Sequence, residues 1–309
     1  MLVAVMLPAV VYAQPPALEP ASGQQAASTD TATDPGAAGL EPRGTADLLG
    51  ANGVGNAAES GRGKTASGPG EATGDGQEQI PPPQLDFDAI DGYDHRRIEG
   101  WDVLVSKQLL ETKLDRTREA LSLLAGQLRK IVDRLPPSVV ARLRKVPIWV
   151  SPTYPNERPR AEYHPNGAWL ASHGRRADMA HCIEISNVDI FAKECIRMPM
   201  LLLHELAHAY HHQVLGFDYP PILQAFERAR QAGLYQQVKR GNGRVERAYA
   251  LTNHKEYFAE CSEAFWGEND FFPFIRSQLE RYDPEMAQLL SRVWREDELA
   301  AAEVPAASP

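Results

Sequence analysis

The N-terminal quarter of this 309-residue chain lacks the residues that build a hydrophobic core. Residues 14–79 contain no Phe, Trp, Tyr or Ile, and Ala, Gly, Pro, Ser, Thr and Gln dominate them. A segment of this composition buries too little apolar surface to offset the conformational entropy lost on folding. We therefore predict a disordered low-complexity tail over residues 14–84 and a short disordered C-terminus over residues 298–309.

The chain also lacks any run of basic residues. It has 32 Lys and Arg against 41 Asp and Glu, a net charge of −9, and six of these charges come from residues 14–80, where nine acids meet three bases. The remaining body is close to neutral. Such a charge pattern excludes the electrostatic footprint of a nucleic-acid-binding protein or of a protein that binds anionic membranes.

The apolar N-terminus is too short to cross a membrane. Residues 1–13 are apolar and end in Val11-Tyr12-Ala13, which is typical of the hydrophobic region and small-residue cleavage site of a signal peptide. A bilayer needs about 20 apolar residues of helix. We expect a signal peptide over residues 1–13, a secreted or periplasmic protein and no stable membrane insertion. The segment lacks the usual positive charge at its start, which leaves open that the signal peptide is incomplete.

Cysteine is scarce, and the count of three is odd. Cys182 and Cys195 lie thirteen residues apart, and Cys261 is well separated from both. In an exported protein, a disulfide between Cys182 and Cys195 is one expectation. The alternative, that all three thiols are reduced and buried, stays open at this point.

Hydrophobic periodicity in the body favours an α+β domain over residues 85–297, mainly helical and with a small sheet. Apolar residues at helical spacing predict one long amphipathic helix from about Trp101 to Leu135. Short β-branched runs at 146–150 and 181–185 predict strands, and residues 152–178 are typical of loops. Further helices are predicted at about 198–214, 220–231, 254–266 and 283–294.

An HExxH motif lies inside an apolar, helix-forming run. Residues four apart share one face of a helix, so His204 and His208 can bind one metal ion together. Glu205, one step round the helix, is placed to accept a proton from an attacking water. Two imidazoles and a carboxylate are costly to bury in an apolar helix unless they have partners, and a metal ion supplies one.

A catalytic zinc site usually has three protein ligands and one open position. A third histidine in the metzincin pattern would need Gly at 211 and His at 214, where this chain has His211 and Val214, so that class is excluded. Downstream, Glu256 and Glu260 lie four residues apart in a helix-forming segment. Spacing alone leaves open which of these two acids completes the site.

The combination of His204-Glu205-Leu206-Ala207-His208 with a downstream helix bearing Glu256 resembles the gluzincin metallopeptidases. The segment Tyr249 to Glu260 is similar to the catalytic domain of anthrax lethal factor, and residues from about 163 to 294 resemble bacterial secreted proteins classed as zinc hydrolases. The resemblance implies a zincin-like fold, one Zn²⁺ per chain held by His204, His208 and Glu256, and a peptide or protein substrate.

By the same resemblance, Tyr249 donates a hydrogen bond to the oxyanion, and Glu260 orients a ligand imidazole. Residues 261–263, Cys-Ser-Glu, are an insertion relative to the lethal factor pattern and fall after the ligands. The sequence thus predicts a secreted zinc peptidase with Glu205 as general base. Two alternatives need separate tests: a zinc amidase that acts on a non-peptide or cell-wall substrate, and a catalytically silent binding module that contains zinc.

Other candidate residues carry weaker expectations. His211 and His212 are expected to be exposed helix residues, with one of them as a possible neighbour of the metal, and His164 is expected in a loop. The strand around 183–185 is expected to present its edge to an extended substrate.

Overall fold

The computed structural model describes residues 85–155 and 161–294. The predicted signal peptide (1–13), tail (14–84) and C-terminal segment (298–309) lie outside the described residues. Within the described residues, the strands are β1 (Tyr93–Ile98), β2 (Trp101–Ser106), β3 (Ile148–Val150), β4 (Ala161–Tyr163), β5 (Ile183–Ile185), β6 (Val238–Lys239) and β7 (Val245–Glu246). The helices are α1 (Lys107–Thr112), α2 (Leu114–Arg134), α3 (Pro137–Leu143), α4 (Gly167–Ser172), α5 (Phe191–Arg197), α6 (Leu201–Tyr210), α7 (Pro220–Gln231), α8 (His254–Trp266), α9 (Arg276–Tyr282) and α10 (Pro284–Val293).

Five strands form one mixed sheet in the order β1-β2-β3-β5-β4, and β6 pairs with β7 separately. The β2–β3 and β3–β5 pairs are parallel, whereas β1–β2 and β5–β4 are antiparallel. This arrangement of a small sheet with many helices confirms the α+β class. It also corrects the prediction for residues 183–185, because β5 is paired on both sides, with β3 and β4, and the edge strand beside it is β4.

The predicted long helix from Trp101 is wrong over its first turns. Residues 101–106 form β2, whose consecutive residues Val103, Leu104 and Val105 are all fully buried, as expected for a strand covered on both faces. A tight turn at Glu99 and Gly100, both with positive φ, returns the chain from β1. From Leu114 onward the predicted amphipathic helix is confirmed, because α2 buries one apolar face.

The residues predicted as loops between 152 and 178 contain the edge strand β4 and the helix α4. Neither element shows the period that identifies a half-buried strand or a long helix, because all three residues of β4 are buried and α4 spans only six residues. Among the described residues, no helix is both long and apolar enough to span a membrane.

All three cysteines have free thiols, so the predicted Cys182–Cys195 disulfide is absent. Successive side chains of a strand point to opposite faces of the sheet. Cys182 packs with Leu104 and Trp149 on one face, whereas Cys195 packs against the larger core that holds Val103 and the helices. Burial raises the pKa of the Cys182 thiol to about 12.

Two helices and the edge strand position the candidate site. Every residue of α6 from Leu201 to Tyr210 is buried, and α6 packs against α8 and β4. Asn253 caps α8, since its side-chain oxygen accepts hydrogen bonds from the backbone N–H groups of Lys255 (2.9 Å) and Glu256 (3.0 Å). This cap fixes the first turn of α8, where Glu256 lies.

Candidate metal centre

His204 and His208 on α6 converge with Glu256 on α8. The Nε2 atoms of the two histidines are 3.1 Å apart, and they lie 3.1 and 3.3 Å from Oε2 of Glu256. All three residues are buried, with exposed fractions of 1%, 3% and 0%. The three predicted ligands therefore form a group that can hold a metal ion.

The spacing of these three atoms fits a tetrahedral ion. Two ligand atoms at 2.0–2.1 Å from a tetrahedral metal lie about 3.3 Å apart, which follows from the bond length and the tetrahedral angle. The observed separations of 3.1–3.3 Å match this value. The ligand atoms are therefore arranged for one shared cation.

The hydrogen bonds of His204 support the same conclusion. Its Nδ1 lies 2.7 Å from Oε1 of Glu263, a carboxylate that accepts the Nδ1 proton. In a neutral imidazole the other nitrogen, Nε2, then carries a lone pair, which faces the Glu256 carboxylate oxygen. Two acceptors at this distance repel each other unless a proton or a metal ion lies between them. Burial lowers the pKa of His204, but the Glu256 and Glu263 carboxylates outweigh it and raise the pKa well above its ordinary value.

Glu263, which the sequence interpretation passed over, makes the contact expected of Glu260. The Glu260 carboxylate instead accepts a hydrogen bond from Nδ2 of Asn269 at 3.1 Å, although it also lies close to His204. Burial and the nearby Asp270 raise the pKa of Glu260 well above its usual range. Burial likewise raises the pKa of Glu263 to about 7. The seven-residue spacing from Glu256 places Glu263 on the same helix face, but Glu260 shares that face, so the spacing alone does not choose between them.

Glu205 lies close to His204, His208 and Glu256 and is held by the edge strand. Its exposed fraction is 2%, and its Oε2 accepts a hydrogen bond of 2.9 Å from the backbone N–H of Tyr163 in β4. Burial raises the pKa of Glu205, and this effect exceeds the opposing influence of His204 and His208. A carboxylate with a raised pKa is suited to accept and return a proton near neutral pH.

Tyr249 lies in a one-turn 3₁₀ helix, Tyr249–Leu251, directly before α8. This turn packs on α8, and Tyr249 is half-buried against the core. The structure therefore places Tyr249 on the segment that leads into the first turn of α8, where Glu256 lies. Its role toward an oxyanion stays a prediction.

The two histidines after the motif differ from each other. His211 is fully buried, contrary to the expectation of an exposed residue, and neither of its ring nitrogens has a hydrogen-bond partner among the described residues. Burial lowers the pKa of His211 to about 2. His212 is half-buried and lies 2.9 Å from the Tyr163 hydroxyl. Both begin a π-helical turn, His211–Leu215, that follows α6.

A second buried group, Glu162, His164 and Glu184, also satisfies the spacing of metal ligands. His164 lies in the loop that follows β4, as expected, but it is buried: its exposed fraction is 2%, and it lies 3.0 Å from the Glu184 carboxylate. Nη1 of Arg175 lies 2.5 Å from Glu162 and 3.5 Å from Glu184. Because a guanidinium already supplies the positive charge there, we assign this group to the support of β4.

Comparisons with known proteins add no further assignment. Neither the models of protein families, nor the curated proteins, nor the solved structures gave a match to this chain. The function is therefore argued from the residues and the geometry of the His204, His208 and Glu256 group.

Proposed function

We propose that this chain is a secreted or periplasmic zinc-dependent peptidase of the gluzincin type. The observation that carries the proposal is the convergence of His204, His208 and Glu256 to within 3.1–3.3 Å of one another on the buried HExxH helix and α8. The substrate class we propose is a peptide or protein.

Zinc is the ion that best suits these ligands. Two imidazole nitrogens and one carboxylate oxygen in a tetrahedral arrangement form the His₂Glu set of catalytic zinc sites, which leaves a fourth position open. Calcium and magnesium prefer six or more oxygen ligands and do not suit two imidazoles. When bound, zinc would supply Lewis-acid polarisation of the scissile carbonyl and a lowered pKa for the attacking water.

Glu205 would move the proton in this reaction. Its carboxylate takes a proton from the attacking water and delivers it to the leaving amine, as a general base followed by a general acid. The raised pKa of the buried carboxyl favours the first step, because it makes the carboxylate a stronger base toward the attacking water. The hydrogen bond from Tyr163 to Oε2 leaves the other oxygen, Oε1, for the water.

Two further residues would support the chemistry. Tyr249 donates a hydrogen bond from its hydroxyl to the developing oxyanion, as the gluzincin resemblance implies. Glu263 accepts the Nδ1 proton of His204, which fixes the imidazole so that Nε2 points at the metal position. In this proposal Glu263 supports metal binding, Glu205 transfers the proton and Tyr249 stabilises the developing charge.

The test is cleavage of a mixed peptide library by the full chain, with Glu205→Gln as control. Both proteins are loaded with zinc to the same measured content, so that a difference reports the proton transfer and not the metal. We expect cleavage by the parent alone. If both proteins bind zinc and neither cleaves a peptide, the peptidase proposal is wrong. Peptidoglycan fragments then test the amidase alternative, and zinc binding without any hydrolysis leaves the silent binding module.

A further inference from the structure

The free edge of the sheet meets the HExxH helix at one hydrogen bond. Tyr163 is the last residue of the edge strand β4, and its backbone N–H donates to Oε2 of Glu205 at 2.9 Å. Both residues are buried, with exposed fractions of 5% and 2%. A hydrogen bond to a buried carboxylate is among the stronger ones in proteins.

The register of the sheet explains why this N–H is available. In an antiparallel pair, residues alternate between those bonded to the neighbouring strand and those that point away. The N–H of His164 donates to the carbonyl of Cys182, the residue before β5, at 2.9 Å. Tyr163 is therefore in the alternate position, and its partner Ile183 donates instead to Pro147 on the β3 side. The Tyr163 N–H thus leaves the sheet toward α6.

The face of β4 opposite the Tyr163 side chain carries buried polar side chains that fix the strand. Glu162 and His164 flank Tyr163, so their side chains point to the other face of the strand. Glu162 pairs with Arg175, and His164 pairs with Glu184 on β5. Glu184 lies on β5, and Arg175 lies in the segment after α4. The two contacts therefore fix the position of β4 relative to both of these segments.

We propose that the backbone amide of Tyr163 is a positioning group that orients the Glu205 carboxylate at the metal centre. The buried pairs of Glu162 and His164 hold the strand that carries this amide. The role of Glu205 in catalysis rests on the proposed function, whereas the contact itself does not. A carboxylate tethered through Oε2 has one preferred orientation, so Oε1 meets the attacking water without a search among rotamers.

Amide exchange tests the contact without any activity assay. We compare the full-length parent with Glu205→Ala, which removes the acceptor, and with Glu205→Gln, which keeps a side-chain carbonyl. We follow hydrogen–deuterium exchange by NMR after transfer into D₂O. We expect the Tyr163 amide to exchange at least about tenfold faster in Glu205→Ala than in the parent, and more slowly in Glu205→Gln than in Glu205→Ala. The His164 amide, which donates to the Cys182 carbonyl, is the internal reference. An unchanged Tyr163 rate in Glu205→Ala would overturn the proposal.

Kinetics of two strand variants test the positioning role. Tyr163→Pro removes the N–H without breaking a bond between β4 and β5, and an edge strand tolerates proline where its N–H points outward. Tyr163→Val is the matched control, because valine is similar in size to proline and keeps the backbone N–H. We expect kcat of the Pro variant to be lower than that of the Val variant by at least about tenfold, with equal KM and zinc content. Equal kcat values would refute the positioning role.

The two measurements separate the inference from the proposed function. If the parent cleaves no peptide, the proposed function fails, and the exchange rates still decide whether Glu205 holds the strand amide. If the parent cleaves peptides and the exchange rates do not respond to Glu205→Ala, the positioning role alone fails.

Discussion

Replacing Glu263 with Gln tests which carboxylate supports the metal ligands. The Glu263 carboxylate lies 2.7 Å from Nδ1 of His204, and both side chains are almost completely buried. Gln has the same shape but no charge, so the variant keeps an acceptor while it removes the electrostatic contribution to ligand basicity. Loss of such a partner typically weakens metal affinity about 10–100-fold, which equals about 1.4–2.8 kcal/mol.

Glu260→Gln is the matched control. Glu260 belongs to the same helix face but bonds to Asn269, and its pKa is raised well above the usual range by burial and by Asp270. Because Glu260 makes its hydrogen bond with Asn269 and not with a ring nitrogen of His204, we expect its replacement by an amide of the same size to change the zinc affinity by less than about threefold.

The assay is competition for zinc against a chromophoric chelator at pH 8, with the full-length parent and both variants. Burial raises the pKa of Glu263 to about 7, so the carboxylate is mostly ionised at this pH. The reasoning fails if Glu260→Gln weakens zinc binding as much as, or more than, Glu263→Gln. It also fails if neither variant changes the affinity.

Three further predictions concern catalysis, stability and pH. Tyr249→Phe should lower kcat on a good peptide about 10²–10³-fold at unchanged zinc content, and full turnover would remove Tyr249 from the mechanism. Arg175→Met should lower the free energy of unfolding in urea by about 3–5 kcal/mol, because it takes the guanidinium from between Glu162 and Glu184; a smaller loss in Arg175→Lys is the control. Burial lowers the pKa of His211 to about 2, so below pH 6.5 the unfolded chain binds a proton that the folded chain does not. Stability of the metal-free protein should then fall with falling pH by up to about 1.4 kcal/mol per unit from this residue, and His211→Phe should remove that part of the slope.

Local patterns were sufficient where a single helix defines the feature. The helix predicted at 254–266 coincides with α8, and the HExxH helix lies within the predicted range 198–214. Helical spacing also places His204 and His208 together, because a helix brings residues four apart onto one face without help from the rest of the chain. Glu256 needed the family resemblance, since no local pattern brings α8 to α6.

Features that depend on distant pairing could not be obtained in this way. The run Val103 to Val105 is apolar at every position, and such a run does not distinguish a strand buried on both faces from a turn of buried helix. Likewise, the sequence predicts strands at β3 and β5, but it predicts neither β4 nor the pairing between these strands. Only the pairing of β5 with both β3 and β4 shows that the free edge belongs to Tyr163 and not to Ile183.

The choice between Glu260 and Glu263 shows why periodicity alone fails at a contact between helices. At about 100° per residue, Glu260 lies about 40° from Glu256 around α8 and Glu263 about 20° on the other side, so both share its face. They differ mainly in rise along the axis, about 6 Å and about 10.5 Å from Glu256. Which of them reaches His204 is therefore set by the crossing of α6 and α8, a property of the packed pair that neither helix specifies by itself.

Two buried groups in this protein use the same residue types and differ in what balances their charge. Around Glu162 and Glu184, the guanidinium of Arg175 lies within 2.5–3.5 Å of both carboxylates and carries a permanent positive charge. At Glu256, the facing groups are imidazole nitrogens at 3.1 and 3.3 Å, whose charge depends on a proton. A proton and a metal ion therefore compete for the second group and not for the first. For this reason metal binding is expected to weaken as the pH falls.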